Sequence, residues 1–142
     1  MKFDENRVTK LSSELLTALN GLREISELSK EEFLENHHLI ASAKYYLVVS
    51  IEAVIDLSNH LITQNKMRVP ESYAETFKVL AEAKVIEEEL SKRLMEMAKF
   101  RNRLVHIYWE VDDEVVYSII KEDIKDVEEF LASYTRFLSK QS

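Results

Sequence analysis

The sequence predicts an all-α chain, an antiparallel bundle of four long helices and one short helix, and three observations carry that prediction. Among 142 residues there is one glycine, Gly21, and one proline, Pro70, too few turn-makers to punctuate the hairpins of an antiparallel sheet. Apolar residues recur three and four positions apart over long stretches, as the buried stripe of an amphipathic helix requires. Helix-start signals stand where those stretches begin. At this length one domain, residues 1–142, buries a real core and leaves little room for a second.

The first helix is expected from about Asp4 to Leu28, where Val8, Leu11, Leu15, Leu19 and Leu22 form one stripe. Ser29 and Glu32 then make the pattern S-x-x-E, a capping box that satisfies backbone donors left open at a helix start. A second helix follows to about Thr63. Its middle, Tyr45 to Leu57, is apolar on most sides, so it needs neighbours around it, a second subunit being one candidate. Gln64 to Pro70 reads as a loop, because Pro70 disfavours helix at Val69 and is itself suited to open a new one. A short helix over Ser72 to Ala83 and a turn near Lys84 come next. The fourth helix spans Val85 to Tyr108, with Ile86, Leu90, Leu94, Met97 and Leu104 or Val105 as its stripe. Asp112 is placed to cap a last helix reaching Leu138.

Composition excludes several classes of function. The chain has no cysteine, so neither disulfide nor thiolate chemistry is available. With a single glycine there is no phosphate-binding glycine loop, which excludes P-loop and dinucleotide-fold readings. The start, MKFDENRVTK, lacks the apolar stretch of a signal peptide, and charged or polar residues interrupt even the densest apolar run. A soluble, cytoplasmic protein with no membrane association is the expectation.

A net charge of −7 argues against a general nucleic-acid coat protein, but its distribution is uneven. From Ser91 to Trp109 five bases stand against one acid, Glu96. From Glu110 to Phe130 nine acids face Lys121 and Lys125. A polyanion should meet the first segment and be repelled by the second.

The first segment ends in RNRLVHIYW, Arg101 to Trp109. On a regular helix Asn102 and His106 lie one turn apart on one face, so the amide is placed to hold the imidazole. Arg101 and Tyr108 also share a face, whereas Arg101 and His106 differ by about 140°. One straight helix does not aim that arginine and histidine at one phosphate. Three arrangements would: a distorted helix end, long side chains that curl round, or two copies of the segment meeting across a two-fold axis. A histidine is suited to take the proton of a ribose 2′-hydroxyl, and an arginine to hold the charge of the phosphorane. Together they suffice for metal-independent RNA cleavage that leaves a 2′,3′-cyclic phosphate.

RNRLVHIY fits R-x4-H-x-Y, with Arg101, His106 and Tyr108 at the fixed positions, and in this it resembles the HepT-type toxins of the HEPN superfamily. The segments Ile51 to Ile62, Val69 to Ile86 and Trp109 to Ile120 are similar to that family in order and spacing, so the likeness covers most of the chain. The resemblance implies a homodimeric helical bundle with a composite ribonuclease site at the dimer interface. His106 would be the general acid/base, Arg101 the phosphate ligand and Asn102 the orienting residue. It also implies a partner, an MNT-type nucleotidyltransferase antitoxin that silences the toxin by transferring AMP to Tyr108, within a homodimer or a larger hetero-oligomer. Nothing in this chain looks like a nucleotidyltransferase of its own, and no cofactor is called for. The rival reading is a catalytically silent helical dimer that binds or regulates a nucleotidyltransferase.

Glu52, Asp56 and His60 recur every fourth residue on the apolar second helix and form a polar strip where polar groups are costly unless paired. A network bracing the catalytic helix or the dimer interface suits them, the alternative being a simply exposed stripe. Ligation of a metal by the same three, in a metal-dependent hydrolase, finds no second cluster in the sequence to complete it.

Overall fold

The computed structural model describes residues 2–141. Its helices are α1 (Glu5–Ser26), α2 (Lys30–Leu34), α3 (His37–Gln64), α4 (Tyr73–Glu82), α5 (Glu88–His106) and α6 (Asp113–Gln141), with one 3-10 turn at Tyr108–Glu110. No strand occurs among the described residues. The expected all-α bundle is present, its four long helices being α1, α3, α5 and α6.

Caps account for most of the boundaries. The Asp4 side chain accepts from the backbone N–H groups of Asn6 and Arg7 and opens α1. Ser29 and Glu32 complete the capping box of α2 in both directions. The second expected helix is broken after one turn, however, because Asn36 takes an extended backbone and its side chain accepts from His38 and Leu39 N–H. That local competition by an asparagine side chain splits Ser29 to Thr63 into α2 and α3. Ser72 caps α4, and Lys84, in the left-handed region at φ 63°, turns the chain toward α5. Val85 and Ile86 are buried before α5 begins, so they serve the core from the loop.

The start of α1 lies against the end of α3, where Asp4 N–H donates to His60 and Asn65 exchanges hydrogen bonds with the backbone of Lys2. Those helices are therefore antiparallel. At their contact Gly21 gives room to the ring of Tyr46, which an added Cβ would strike. Helices α3 and α6 each pack against the other three long helices. They run parallel to one another, as Lys44 to Asp113 at one end and Leu57 to Tyr134 further along both show. Leu15, Leu19, Leu47, Ile51, Leu57, Phe77, Leu80, Phe130 and Tyr134 fill the space between them. By length and composition α3 is the one described helix apolar enough to cross a bilayer, and half of that apolar window is buried inside the bundle.

Candidate functional site

Helix α5 brings the R-x4-H segment to the edge of the bundle. Leu90, Leu94, Met97, Ala98, Phe100 and Leu104 face the core, while Val105 is exposed. That burial fixes the helix's rotation and sends Arg101 toward α3 and α4. The Arg101 side chain is only 15% exposed. Its Nη2 donates to Glu52 Oε1 at 2.6 Å and its Nη1 to Asn102 Oδ1 at 3.0 Å. The guanidinium lies 5.3 Å from the centroid of the Tyr73 ring, a cation–π contact across to α4. Arg101 Nε is buried without an acceptor. The arginine is thus held by three groups, and one donor is left open.

His106, the last residue of α5, is exposed, as is Asn102. The expected hold of Asn102 on His106 is replaced by the bond to Arg101, since a charged donor makes the stronger partner for the amide oxygen. The expected common face of Arg101 and Tyr108 also fails. At Ile107 the backbone turns to φ −133° and ψ 44°, and Tyr108 to Glu110 form a 3-10 turn outside the helix. Val105, Ile107, Tyr108 and Trp109 are β-branched or aromatic, poor helix formers, which is the sequence signal for this earlier end. Tyr108 is half-exposed, and Trp109 is 79% exposed.

The polar strip on α3 divides among different partners. Glu52 holds Arg101. Asp56 faces α1, and its carboxyl is raised above the ordinary range by burial, with Arg7 opposing and Glu52 and Glu14 reinforcing the rise. His60 accepts from Asp4 N–H at 2.9 Å, and burial lowers its pKa, Asp4 opposing and Arg7 reinforcing. No group of three or more histidine, aspartate or glutamate side chains among the described residues is placed to hold a metal ion.

Two residues at the site escaped the sequence reading. Tyr73 opens α4 and covers the Arg101 guanidinium. Lys44, buried on α3, lies against Tyr108. The only sequence signal for Lys44 was a lone cation just before the apolar run of its helix.

Comparison with known proteins places the chain among related sequences. Residues 15–134 match the family model described as Ribonuclease HepT-like. The mRNA nuclease HepT of Shewanella oneidensis is 34% identical over 80 residues, 56% of this chain and 60% of that protein. A putative RNase of Archaeoglobus fulgidus is 36% identical over 83 residues, 58% of this chain and 62% of that protein. The chain thus spans about three fifths of the length of the curated relatives it matches. In fold it is similar to a tri-AMPylated Shewanella oneidensis HEPN toxin in complex with an MNT antitoxin, with a TM-score of 0.85 at 23% identity over 94% of this chain and 99% of that one.

Proposed function

The chain belongs to the HepT-like ribonuclease family, and from that premise we propose that it is a metal-independent RNA endonuclease, the toxin of a HepT/MNT-type pair, whose site is completed in a homodimer. The observation that carries this reading is the state of Arg101. A guanidinium clamped by Glu52 and Asn102 and roofed by Tyr73 is fixed in place beforehand for an anion. His106 takes the proton of a ribose 2′-hydroxyl. The freed oxygen attacks the adjacent phosphorus, the 5′-oxygen leaves with the bonding pair and takes a proton from the protonated His106 or from water, and a 2′,3′-cyclic phosphate remains. Arg101 holds the charge that develops on the non-bridging oxygens.

Within one chain Arg101 is turned inward against α3 and α4, while His106 is exposed at the helix end. A second copy supplies the missing member to each site. Val105, Tyr108 and Trp109, exposed apolar side chains around His106, give that copy a surface to cover. Asn102 acts by orienting Arg101.

Tyr108 is the site of regulation. Its exposed turn is suited to receive AMP from an MNT-type nucleotidyltransferase, and a phosphate added there competes with RNA for the neighbouring cations. A toxin of similar fold from Shewanella oneidensis, carrying AMP in complex with its MNT antitoxin, supports AMP transfer as the kind of regulation. The test is cleavage of RNA by purified protein in EDTA. Wild type cuts, whereas His106→Ala and Arg101→Ala each lose at least about a hundredfold in rate. Identical fragment patterns from wild type and His106→Ala would sink the enzymatic reading in favour of a catalytically silent binding dimer.

A further inference from the structure

Lys44 sits in the second turn of α3, just before the stretch that supplies the bundle's core, and its side chain is 7% exposed. Withdrawing an ammonium from water is costly unless its partners offset the loss. The partners of Lys44 lie in the short connection after α5 and at the first residue of α6. Its Nζ lies 4.4 Å from the centroid of the Tyr108 ring, 3.5 Å from the Tyr108 carbonyl oxygen and 3.2 Å from Asp113 Oδ1 at the start of α6. A core ion pair requires only the carboxylate. This cation also lies against the face of the motif tyrosine and donates to that residue's own carbonyl oxygen.

The connection has few other anchors. Its 3-10 turn is closed by Glu110 N–H donating to the Ile107 carbonyl at 2.8 Å, Val111 is buried beneath it, and Trp109 points into solvent. Ile107, just before the turn, also packs against the core, and the contact on the Tyr108 ring itself comes from Lys44 on α3.

We propose that Lys44 is the positioning residue for nucleotidyl transfer to Tyr108, fixing the ring and its turn so that the phenol oxygen meets the incoming nucleoside triphosphate. This rests on the reading of Tyr108 as the modified residue. In the transfer the phenolic O–H bond breaks and its proton passes to a base of the transferring enzyme or to water. The bond from Tyr108 Oη to the α-phosphorus forms, and the bond from that phosphorus to the bridging oxygen breaks, pyrophosphate leaving with the electron pair. Lys44 takes no part in the bond changes; its Nζ faces the ring 4.4 Å from the centroid and holds it in place.

The test uses the full chain, ATP and an MNT-type nucleotidyltransferase, with AMP on Tyr108 followed by mass spectrometry. Lys44→Met keeps most of the length of the side chain and removes its charge. It is expected to lower the maximal transfer rate about tenfold while the KM for ATP stays within about twofold. Asp113→Asn leaves the ammonium against the ring and is expected to keep about half or more of the wild-type rate. If Lys44 served only the ion pair, both variants would lose rate equally, and that result overturns the proposal. So does a Lys44→Met chain modified as fast as wild type. Because a misfolded variant would also be slow, 3-fluorotyrosine at position 108 gives a readout without the enzyme. Its fluorine resonance moves in Lys44→Met while the remaining spectrum is kept, and an unmoved resonance counts against the proposal. A wild-type chain modified at another residue, or not at all, overturns the reading of Tyr108 itself.

Discussion

Replacing Glu52 by glutamine tests whether an ion pair across two helices keeps the guanidinium of Arg101 in its working place. The Arg101 side chain is 15% exposed and that of Glu52 43%, so the pair sits between interior and solvent. A charge-assisted bond of this kind is worth about 1.5–3 kcal/mol when shielded. Screening on the open side of Glu52 reduces that to about 1–2 kcal/mol. Glutamine keeps the volume and one acceptor, so the change removes charge without opening a cavity. With Nε already unpaired, the guanidinium then keeps Asn102, the Tyr73 ring and a neutral amide oxygen in place of the carboxylate. The melting midpoint is expected to fall by about 3–6 °C. RNA cleavage should fall by about 10- to 100-fold, because an arginine free to swing loses its preorganised position. A double-mutant cycle with Arg101→Gln, read by denaturant unfolding, should give a coupling of about 1 kcal/mol. Coupling below about 0.3 kcal/mol, or a Glu52→Gln enzyme as active as wild type, would refute the positioning argument.

Two further outcomes follow from the fold. Asn36→Ala removes the side chain that accepts from His38 and Leu39 N–H, and should cost about 1 kcal/mol, or about 2–4 °C in melting midpoint; an unchanged midpoint would show that α3 starts there for another reason. The Asp123 carboxyl is pushed up to about 6 by burial, with Asp126 and Glu122 adding to the rise, against an ordinary value of 3.8. Between those two values the folded chain binds the proton more tightly than the unfolded one, so stability falls as pH rises from about 4 to about 6. Asp123→Asn should therefore leave stability unchanged at pH 4 and raise it by about 1 kcal/mol at pH 7, after allowance for solvent screening. Denaturant titrations at the two pH values decide this, and an equal gain at both would exclude titration as the cause.

The sequence by itself determined the helical class, the four long elements and the place of the candidate site. These rest on short-range physics. Stripe spacing, the capping box at Ser29 and Glu32 and the cap at Ser72 act over a few residues, so they are legible one segment at a time. The break at Asn36 was equally local, an N-cap residue inside an otherwise helical pattern, and it was readable in principle. The R-x4-H-x-Y pattern likewise located Arg101, His106 and Tyr108 without any tertiary information.

Only the tertiary structure decided where those side chains go. Arg101 turns to Glu52, 49 residues away, and to Tyr73 on a different helix, because burial of Leu94, Met97 and Leu104 sets the rotation of α5. Asn102 was assigned to His106 by spacing, yet a charged donor nearer to hand takes its oxygen. Tyr108 leaves the helix altogether and meets Lys44, 64 residues earlier in the chain. Periodicity says which face of a helix is apolar. It does not say which neighbouring helix covers the polar residues beside that face, since that depends on how the whole core packs.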